Sequence, residues 1–110
     1  MIERGSGVII HVSSIQGTLP LYDSTLAYAA AKAAADAWTL ALADRFKGTG
    51  STANIVVVGA ILTPAMRAES PDKDFSTFSP AEEIAGAISY LCSDEAASMN
   101  GQRLTLRGAY

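Results

Sequence analysis

This sequence contains little cysteine and histidine, and its basic residues do not outnumber its acidic ones. The 110 residues contain one Cys and one His. An intramolecular disulfide is therefore impossible, and the sequence has too few Cys and His residues for a structural zinc site. Asp and Glu outnumber Lys and Arg by 11 to 8, giving a net charge of -3. Because binding to phosphate backbones needs clustered cations, we predict no nucleic-acid partner. The scarcity of Cys and His also predicts no metal site.

Long apolar runs are also missing. No uninterrupted stretch approaches the roughly 20 apolar residues that a membrane-spanning helix needs. The first seven residues, Met-Ile-Glu-Arg-Gly-Ser-Gly, lack the apolar core of a signal peptide. We therefore expect no membrane association and a cytoplasmic location. A content of 49% hydrophobic and 17% charged residues is typical of folded globular proteins, and the length gives residues 1–110 room for a single domain.

The first half of the chain predicts two strands separated by a helix. Val8–Val12 and Asn54–Val58 are short, largely β-branched runs flanked by turn residues, which is typical of strands buried in a parallel sheet. The Ala-rich stretch 26–47 between them favours a helix, with Ser24 or Thr25 as its N-cap.

The second half predicts a long loop, a helix and a last strand. Residues 59–78 contain two prolines and no periodic pattern, which indicates a loop with a helical turn near 65–68. The sequence Ser-Pro-Ala-Glu at 79–82 predicts a capping box that opens a helix to about Ser93. Alternation over 102–107 predicts a final strand. The order strand-helix-strand-loop-helix-strand indicates an α/β fold resembling half of a doubly wound parallel sheet.

Three side chains combine into a possible catalytic group. Tyr28 and Lys32 are four residues apart and share one face of the predicted helix. A phenol acts as acid or base near neutral pH only if a nearby cation stabilises its phenolate form, and Lys32 can supply that charge. Ser14 closes the first strand at the carboxyl edge of the sheet, where α/β folds bind ligands, and is a better candidate than Ser13.

These residues resemble the C-terminal half of the short-chain dehydrogenases/reductases. That family has a strand ending in Ser-Ser and a helix with Tyr-x-x-x-Lys, and several ordered segments of this chain are similar to its pattern. They are Gly7–Ser14, Tyr28 with Lys32, Asn54–Thr63 and Ser98–Gln102. A weaker similarity, in Gly59–Ile61 and Asp74–Pro80, is to the dihydropteridine-reductase branch.

The resemblance implies a Rossmann-like fold and hydride transfer between NAD or NADP and a small carbonyl or alcohol substrate. Tyr28 would pass the proton to or from the substrate oxygen, Ser14 would hold that oxygen, and Lys32 would bind the nicotinamide ribose. Gly59, Ile61 and Thr63 would surround the nicotinamide, with the Thr63 hydroxyl reaching the carboxamide or phosphate. Residues 64–78 would form the substrate lid.

The sequence also departs from the family pattern. The 13 residues at positions 15–27 separate Ser14 from Tyr28, one more than is commonest in the family. Val58-Gly59 stands where the family has Pro-Gly. The Gly-rich phosphate-binding turn that precedes the family's serine is absent, so the chain is expected to be a partial domain that is inactive by itself. Two alternatives stay open: a non-enzymatic interaction module, or a nonfunctional truncated product.

The remaining features have structural interpretations. His11 lacks a carboxylate neighbour in sequence and is predicted to be a core histidine. Cys92 is predicted on the apolar face of the second helix, and Trp38 is predicted to pack. The Ala-rich helix face could contact another helix or another subunit, and the strand Val8–Val12 would have an open edge. We therefore expect a homo-oligomer.

Overall fold

The computed structural model describes residues 5–15 and 26–106. The strands in these ranges are β1 (Gly7–Ser14), β2 (Ser51–Val58), β3 (Ala60–Leu62), β4 (Phe78–Pro80) and β5 (Arg103–Thr105). The α-helices are α1 (Leu26–Phe46), α2 (Pro64–Glu69) and α3 (Ala81–Leu91), and a 3-10 turn covers Asp94–Ala96. The predicted helix cap at Ser24 or Thr25 lies outside the described residues.

β1, β2 and β5 form a parallel sheet in which β2 is central. The register aligns Gly7 with Ser51 and Ser14 with Val58, so β1 and β2 pair along their whole length. All eight residues of β2 are buried, as expected for a strand with neighbours on both sides and helices on both faces. The α/β prediction with a parallel sheet is confirmed.

The two faces of the sheet are covered by different helices. On one face, Val56 and Val58 form a cluster with Ile84 and Leu91 of α3. Alternate residues of β2 point the other way, where Ala53 packs with Ala43 and Phe46 near the end of α1. Because α1 packs along the face of β1 and β2, the residues that it carries are held at fixed positions relative to the sheet.

Two asparagines connect β2 to the turn that precedes β5. Asn54 donates from Nδ2 to the carbonyl of Met99 at 2.9 Å and accepts from the Gln102 N–H at 3.0 Å. The Asn100 amide accepts from the Ala53 N–H at 2.9 Å and donates to the carbonyl of Ala43 in α1 at 2.8 Å. These bonds satisfy buried main-chain groups and fix the approach to β5.

The predicted loop 59–78 contains more regular structure than the sequence indicated. β3 and β4 pair in parallel, with Ile61 opposite Ser79, and α2 lies between them. The capping-box prediction was wrong, because Ser79 belongs to β4 and its Oγ accepts a 2.9 Å hydrogen bond from the Gly59 N–H. α3 begins at Ala81 after Pro80, without a side-chain cap.

Two further predictions differ from the structure. Cys92 was predicted on the apolar face of this helix. The helix ends at Leu91, so Cys92 is its C-cap residue, and it is exposed. Trp38 lies on the outer side of α1 with 67% of its surface exposed, so within this chain it does not serve the predicted packing role.

Candidate functional site

Ser14 is the last residue of β1 and lies at the carboxyl edge of the parallel sheet. It is half-buried and is aligned with Val58, the last residue of β2. Open α/β sheets bind ligands at this edge, because the loops that follow the strands diverge there and leave a crevice. The predicted serine therefore occupies the position where a substrate oxygen could reach its hydroxyl.

Lys32 connects α1 to the same end of β1. Its ammonium donates a hydrogen bond to the main-chain carbonyl of Val12 at 3.2 Å. Val12 precedes Ser14 by two residues on the same strand, so this contact fixes the Lys32 side chain near the carboxyl edge. An ammonium has three N–H groups, and one bond to Val12 leaves others available for a ligand.

Tyr28 lies one helical turn before Lys32. The Lys32 Nζ is 5.7 Å from the centroid of the Tyr28 ring, a separation at which a cation and an aromatic ring attract. Tyr28 is 50% exposed, so its phenol is accessible to a small molecule. The structure thus brings the predicted tyrosine and lysine together and attaches the lysine to the strand that ends in Ser14.

The three residues predicted to contact the nicotinamide lie in β3 or directly beside it. The Gly59 N–H donates a hydrogen bond to the Ser79 Oγ, and Ile61 in β3 has 46% of its surface exposed. Thr63 is the N-cap of α2, where its Oγ1 accepts a 3.2 Å hydrogen bond from the Met66 N–H. Because a hydroxyl can accept and donate at once, the Thr63 O–H proton remains able to bond a carboxamide or phosphate oxygen.

A cavity of about 300 Å³ adjoins Thr63. The residues lining it are Leu62, Thr63, Pro64, Arg67, Ala68 and Glu82. Hydroxyl and ammonium donors at Thr63 and Lys32 are suited to the oxygens of a nicotinamide riboside. A G-x-G-x-x-G turn for the pyrophosphate occurs nowhere in the sequence. Thr63 and Lys32 could therefore contact the nicotinamide end of a dinucleotide, although Lys32 does not line this cavity, and the sequence supplies no such phosphate-binding turn.

Asp36 is a buried charged residue that the sequence analysis missed. It lies one turn after Lys32 on α1, and only 2% of its surface is exposed. Arg103 of β5 donates from Nη1 to its Oδ2 at 2.6 Å, and His11 Nε2 lies 3.1 Å from its Oδ1. His11 has no acidic neighbour in sequence, but the packing of α1 on β1 places the Asp36 carboxylate beside it, which the sequence did not indicate.

The surroundings of Asp36 favour its charged form. Burial would raise the pKa of this carboxyl, but hydrogen bonding with Ser13 and Arg103, together with the charges of Arg103 and His11, outweighs burial and leaves the pKa below its ordinary value of 3.8. His11 Nε2, Ser13 Oγ and Asp36 Oδ1 lack fully aligned hydrogen bonds, so Arg103 is the main partner. The sequence did contain a signal for this buried residue: Asp36 is an acidic side chain in the middle of an Ala-rich helix, four residues after Lys32.

Neither a metal cluster nor a membrane span is found in the described part of the chain. Residues 5–15 and 26–106 contain no group of three or more His, Cys, Asp or Glu side chains arranged to hold a metal ion. None of the helices in these ranges is long and apolar enough to cross a membrane.

Comparison with known sequences gives matches along nearly the whole chain. Residues 1–108 match the family model for enoyl-(acyl carrier protein) reductase. The acetoacetyl-CoA reductase of Allochromatium vinosum and the 3-oxoacyl-[acyl-carrier-protein] reductase FabG of Escherichia coli K12 are each 34% identical over 116 residues. Each match covers 98% of this chain and 47% of the relative. The chain thus spans about half the length of the curated relatives it matches.

Solved structures show the same half-length similarity. Acetoin dehydrogenase YohF from Salmonella typhimurium superposes with a TM-score of 0.80 at 29% identity, covering 99% of this chain and 46% of that protein. An actinorhodin polyketide ketoreductase variant with NADPH gives a TM-score of 0.79 at 28% identity, covering 98% and 48%. The family match, the parallel α/β fold and these relatives show that the chain belongs to the short-chain dehydrogenase/reductase family.

Proposed function

We propose that this chain provides the proton-transfer site of an NAD(P)-dependent oxidoreductase acting on a carbonyl or alcohol substrate. Tyr28 donates its proton to the carbonyl oxygen during reduction and takes it back during oxidation. Ser14 donates a hydrogen bond to the same oxygen and holds it within reach of Tyr28. Lys32 stabilises the phenolate and binds the ribose hydroxyls, while the cofactor supplies or accepts the hydride.

The observation that carries this proposal is the bond from Lys32 to Val12. It joins the helix bearing Tyr28 to the strand ending in Ser14, so a cation, a phenol and a hydroxyl are positioned by two elements that pack on each other. A non-catalytic helix pair would need no such attachment to a strand end. The orientation of reacting groups by rigid elements is a main source of enzymatic rate enhancement.

The cofactor assignment is supported by the family and by solved relatives that contain NADPH or NADP. In this chain, Lys32 and Thr63 would hold the nicotinamide end, with Gly59 and Ile61 beside it. The adenosine and pyrophosphate would be bound by a nucleotide-binding half, and we propose residues 1–110 as the catalytic half of a domain. The cytoplasmic location stays a prediction.

The proposal is tested by measuring NADPH oxidation with acetoacetyl-CoA and a panel of small ketones. We expect no turnover by the isolated chain, because contacts at the nicotinamide end alone do not fix the cofactor. The chain joined to the part of E. coli FabG that it does not match should give measurable turnover. A joined protein that is folded by circular dichroism and binds NADPH, but reduces none of these compounds, would contradict the proposal.

The open edge of β1 supports self-association, and we propose that the isolated chain forms homo-oligomers. Among the described residues β1 pairs only with β2, and Val8 on this edge strand is 40% exposed. An apolar edge without charge or Pro favours pairing with another chain. Sedimentation at tens of micromolar should show dimers or larger species, and Val8→Lys should reduce them. A compact monomer at that concentration would refute the proposed assembly.

A further inference from the structure

A second cavity, of about 430 Å³, lies beyond α2. It is lined by Arg67, Pro71, Lys73, Phe75, Ser76 and Phe78. Arg67 also lines the cavity that contains Thr63, so the two cavities are neighbours that share this residue. Two exposed cations and two half-buried aromatic rings thus line one space.

The two phenylalanines of this cavity hold Lys73. Their rings meet edge to face, with centroids 5.1 Å apart and an interplanar angle of 78°. The Lys73 Nζ is 5.5 Å from each of the two ring centroids. Attraction between an ammonium and aromatic rings favours this position of the exposed Lys73 side chain at the cavity.

Neither cation is neutralised by an acidic side chain in the described residues. The three ion pairs found there are formed by Asp36 or Asp44, and none of them includes Arg67 or Lys73. Asp74 is adjacent to Lys73 in sequence and carries a charge, but no ion pair joins the two side chains, and the Asp74 Oδ1 instead accepts a 2.9 Å hydrogen bond from the Ser76 N–H. The lining of this cavity thus contains two cations, two aromatic rings and no acidic side chain, while Glu82 lines the neighbouring cavity with Arg67.

We propose that this cavity binds the anionic group of the substrate, a carboxylate or a phosphate monoester attached to an apolar or aromatic portion. Arg67 can form a bidentate pair with such an anion, Lys73 adds a second positive charge, and the rings of Phe75 and Phe78 pack on the adjoining portion. The lining of this cavity contains none of Ser14, Tyr28 and Lys32, so the anionic group would bind apart from these three side chains. This assignment of substrate class rests on the proposed function.

The binding step can be tested without cofactor or turnover. The isolated chain, labelled with nitrogen-15, is titrated with phenyl phosphate, benzoate and neutral phenol while the amide and side-chain NMR signals are recorded. We expect saturable shifts at Arg67, Lys73 and Phe75 with phenyl phosphate or benzoate, and much weaker binding of phenol. The stronger of the two anions identifies the group that the site prefers, and added salt should weaken its binding.

Matched variants separate this site from general attraction to positive charge. Lys73→Met removes the charge, keeps an unbranched apolar side chain and should raise the dissociation constant about fivefold, as expected for a partly exposed charge contact. Lys47→Met is the control, because Lys47 is an exposed lysine paired with Asp44 after α1 and should leave binding unchanged. Phe75→Leu should weaken phenyl phosphate more than inorganic phosphate.

Three results would overturn this inference. They are the absence of saturable shifts at Arg67 and Lys73 with either anion, equal affinity for phenol, or an equal loss of affinity in Lys47→Met. Each concerns binding alone, so failure here would leave the proton-transfer role of Tyr28 standing. Conversely, a joined protein without turnover would contradict the proposed activity even if anions bind at this cavity.

Discussion

The sheet region, formed by β1, α1, β2 and β5, is held together differently from the β3–β4 segment, residues 59–80. In the sheet region a buried strand, two anchoring asparagines and the Asp36–Arg103 pair connect elements distant in sequence. In the β3–β4 segment, α2 has no buried residue, and the pairing is made by two strands of three residues each. The positions of Tyr28 and Lys32 therefore depend on the better-packed region.

This difference suggests a division of roles within the chain. Proton transfer needs groups held to fractions of an ångström, which a packed helix on a sheet provides. Substrate recognition tolerates, and often uses, a segment with fewer buried contacts. In this chain the Arg67 and Lys73 side chains belong to the second kind of region, whereas the bond from Lys32 to Val12 belongs to the first.

The same substitution in the two regions should have unequal effects on stability. Phe46 is buried at the end of α1, and Phe46→Ala should lower the free energy of unfolding by about 4 kcal/mol through lost burial and a cavity. Phe75 is half-buried, and Phe75→Ala should cost about 1 kcal/mol, mainly its ring contact. Urea unfolding of both variants measures the difference, and equal losses would break the comparison.

Removal of the buried charge should have the next largest effect. Asp36→Ala leaves the Arg103 guanidinium without its carboxylate partner and should lower the free energy of unfolding by about 3 kcal/mol. Asp44→Ala is the control, since Asp44 is an exposed helix residue paired only with Lys47 and should change stability little. If both variants unfold at the same urea concentration, Asp36 does not connect α1 to β5 energetically.

A smaller effect is expected from pH. The pKa of Asp36 is lower in the folded chain than its ordinary value of 3.8, so its stabilising contribution is present above pH 3.8 and is lost as the pH falls below that value. Urea unfolding between pH 5 and pH 2.5 should show a smaller loss of stability in Asp36→Asn than in the original chain. The pKa of Asp74 is also lowered, by hydrogen bonds with Ser76, but Asp74→Asn should matter less because that carboxylate is exposed to solvent.

The parts of the fold that could be predicted from sequence depend on local patterns. The β-branched run of β2 and the Ala-rich composition of α1 each favour one structure, and both elements formed where expected. The Ser79-Pro80 pair also matched a local pattern, that of a capping box, but pairing with β3 placed Ser79 in a strand instead. Local preference was overridden there because a non-local pairing bonded the same residues.

In the candidate site, too, contacts between residues close in sequence could be predicted, whereas contacts between distant residues could not. Tyr28 and Lys32 are four residues apart, so their proximity follows from helical geometry. Asp36 and Arg103 are 67 residues apart and meet only because β5 lies beside β2 under α1. The cavity with Arg67 and Lys73 was not foreseen, because cations on a surface segment usually face solvent and only the fold shows that aromatic rings collect one of them.

The most direct test of the central claim is the rate of NADPH-dependent acetoacetyl-CoA reduction by the joined protein when Tyr28 is replaced by Phe. Tyr28→Phe removes only the phenolic oxygen, and the loss of its proton transfer should lower the rate about 1000-fold. Tyr90→Phe, at an exposed tyrosine of α3, is the matched control and should retain the original rate. If Tyr28→Phe retained a rate within twofold of the original while binding NADPH equally well, Tyr28 would not be the acid or base of this site.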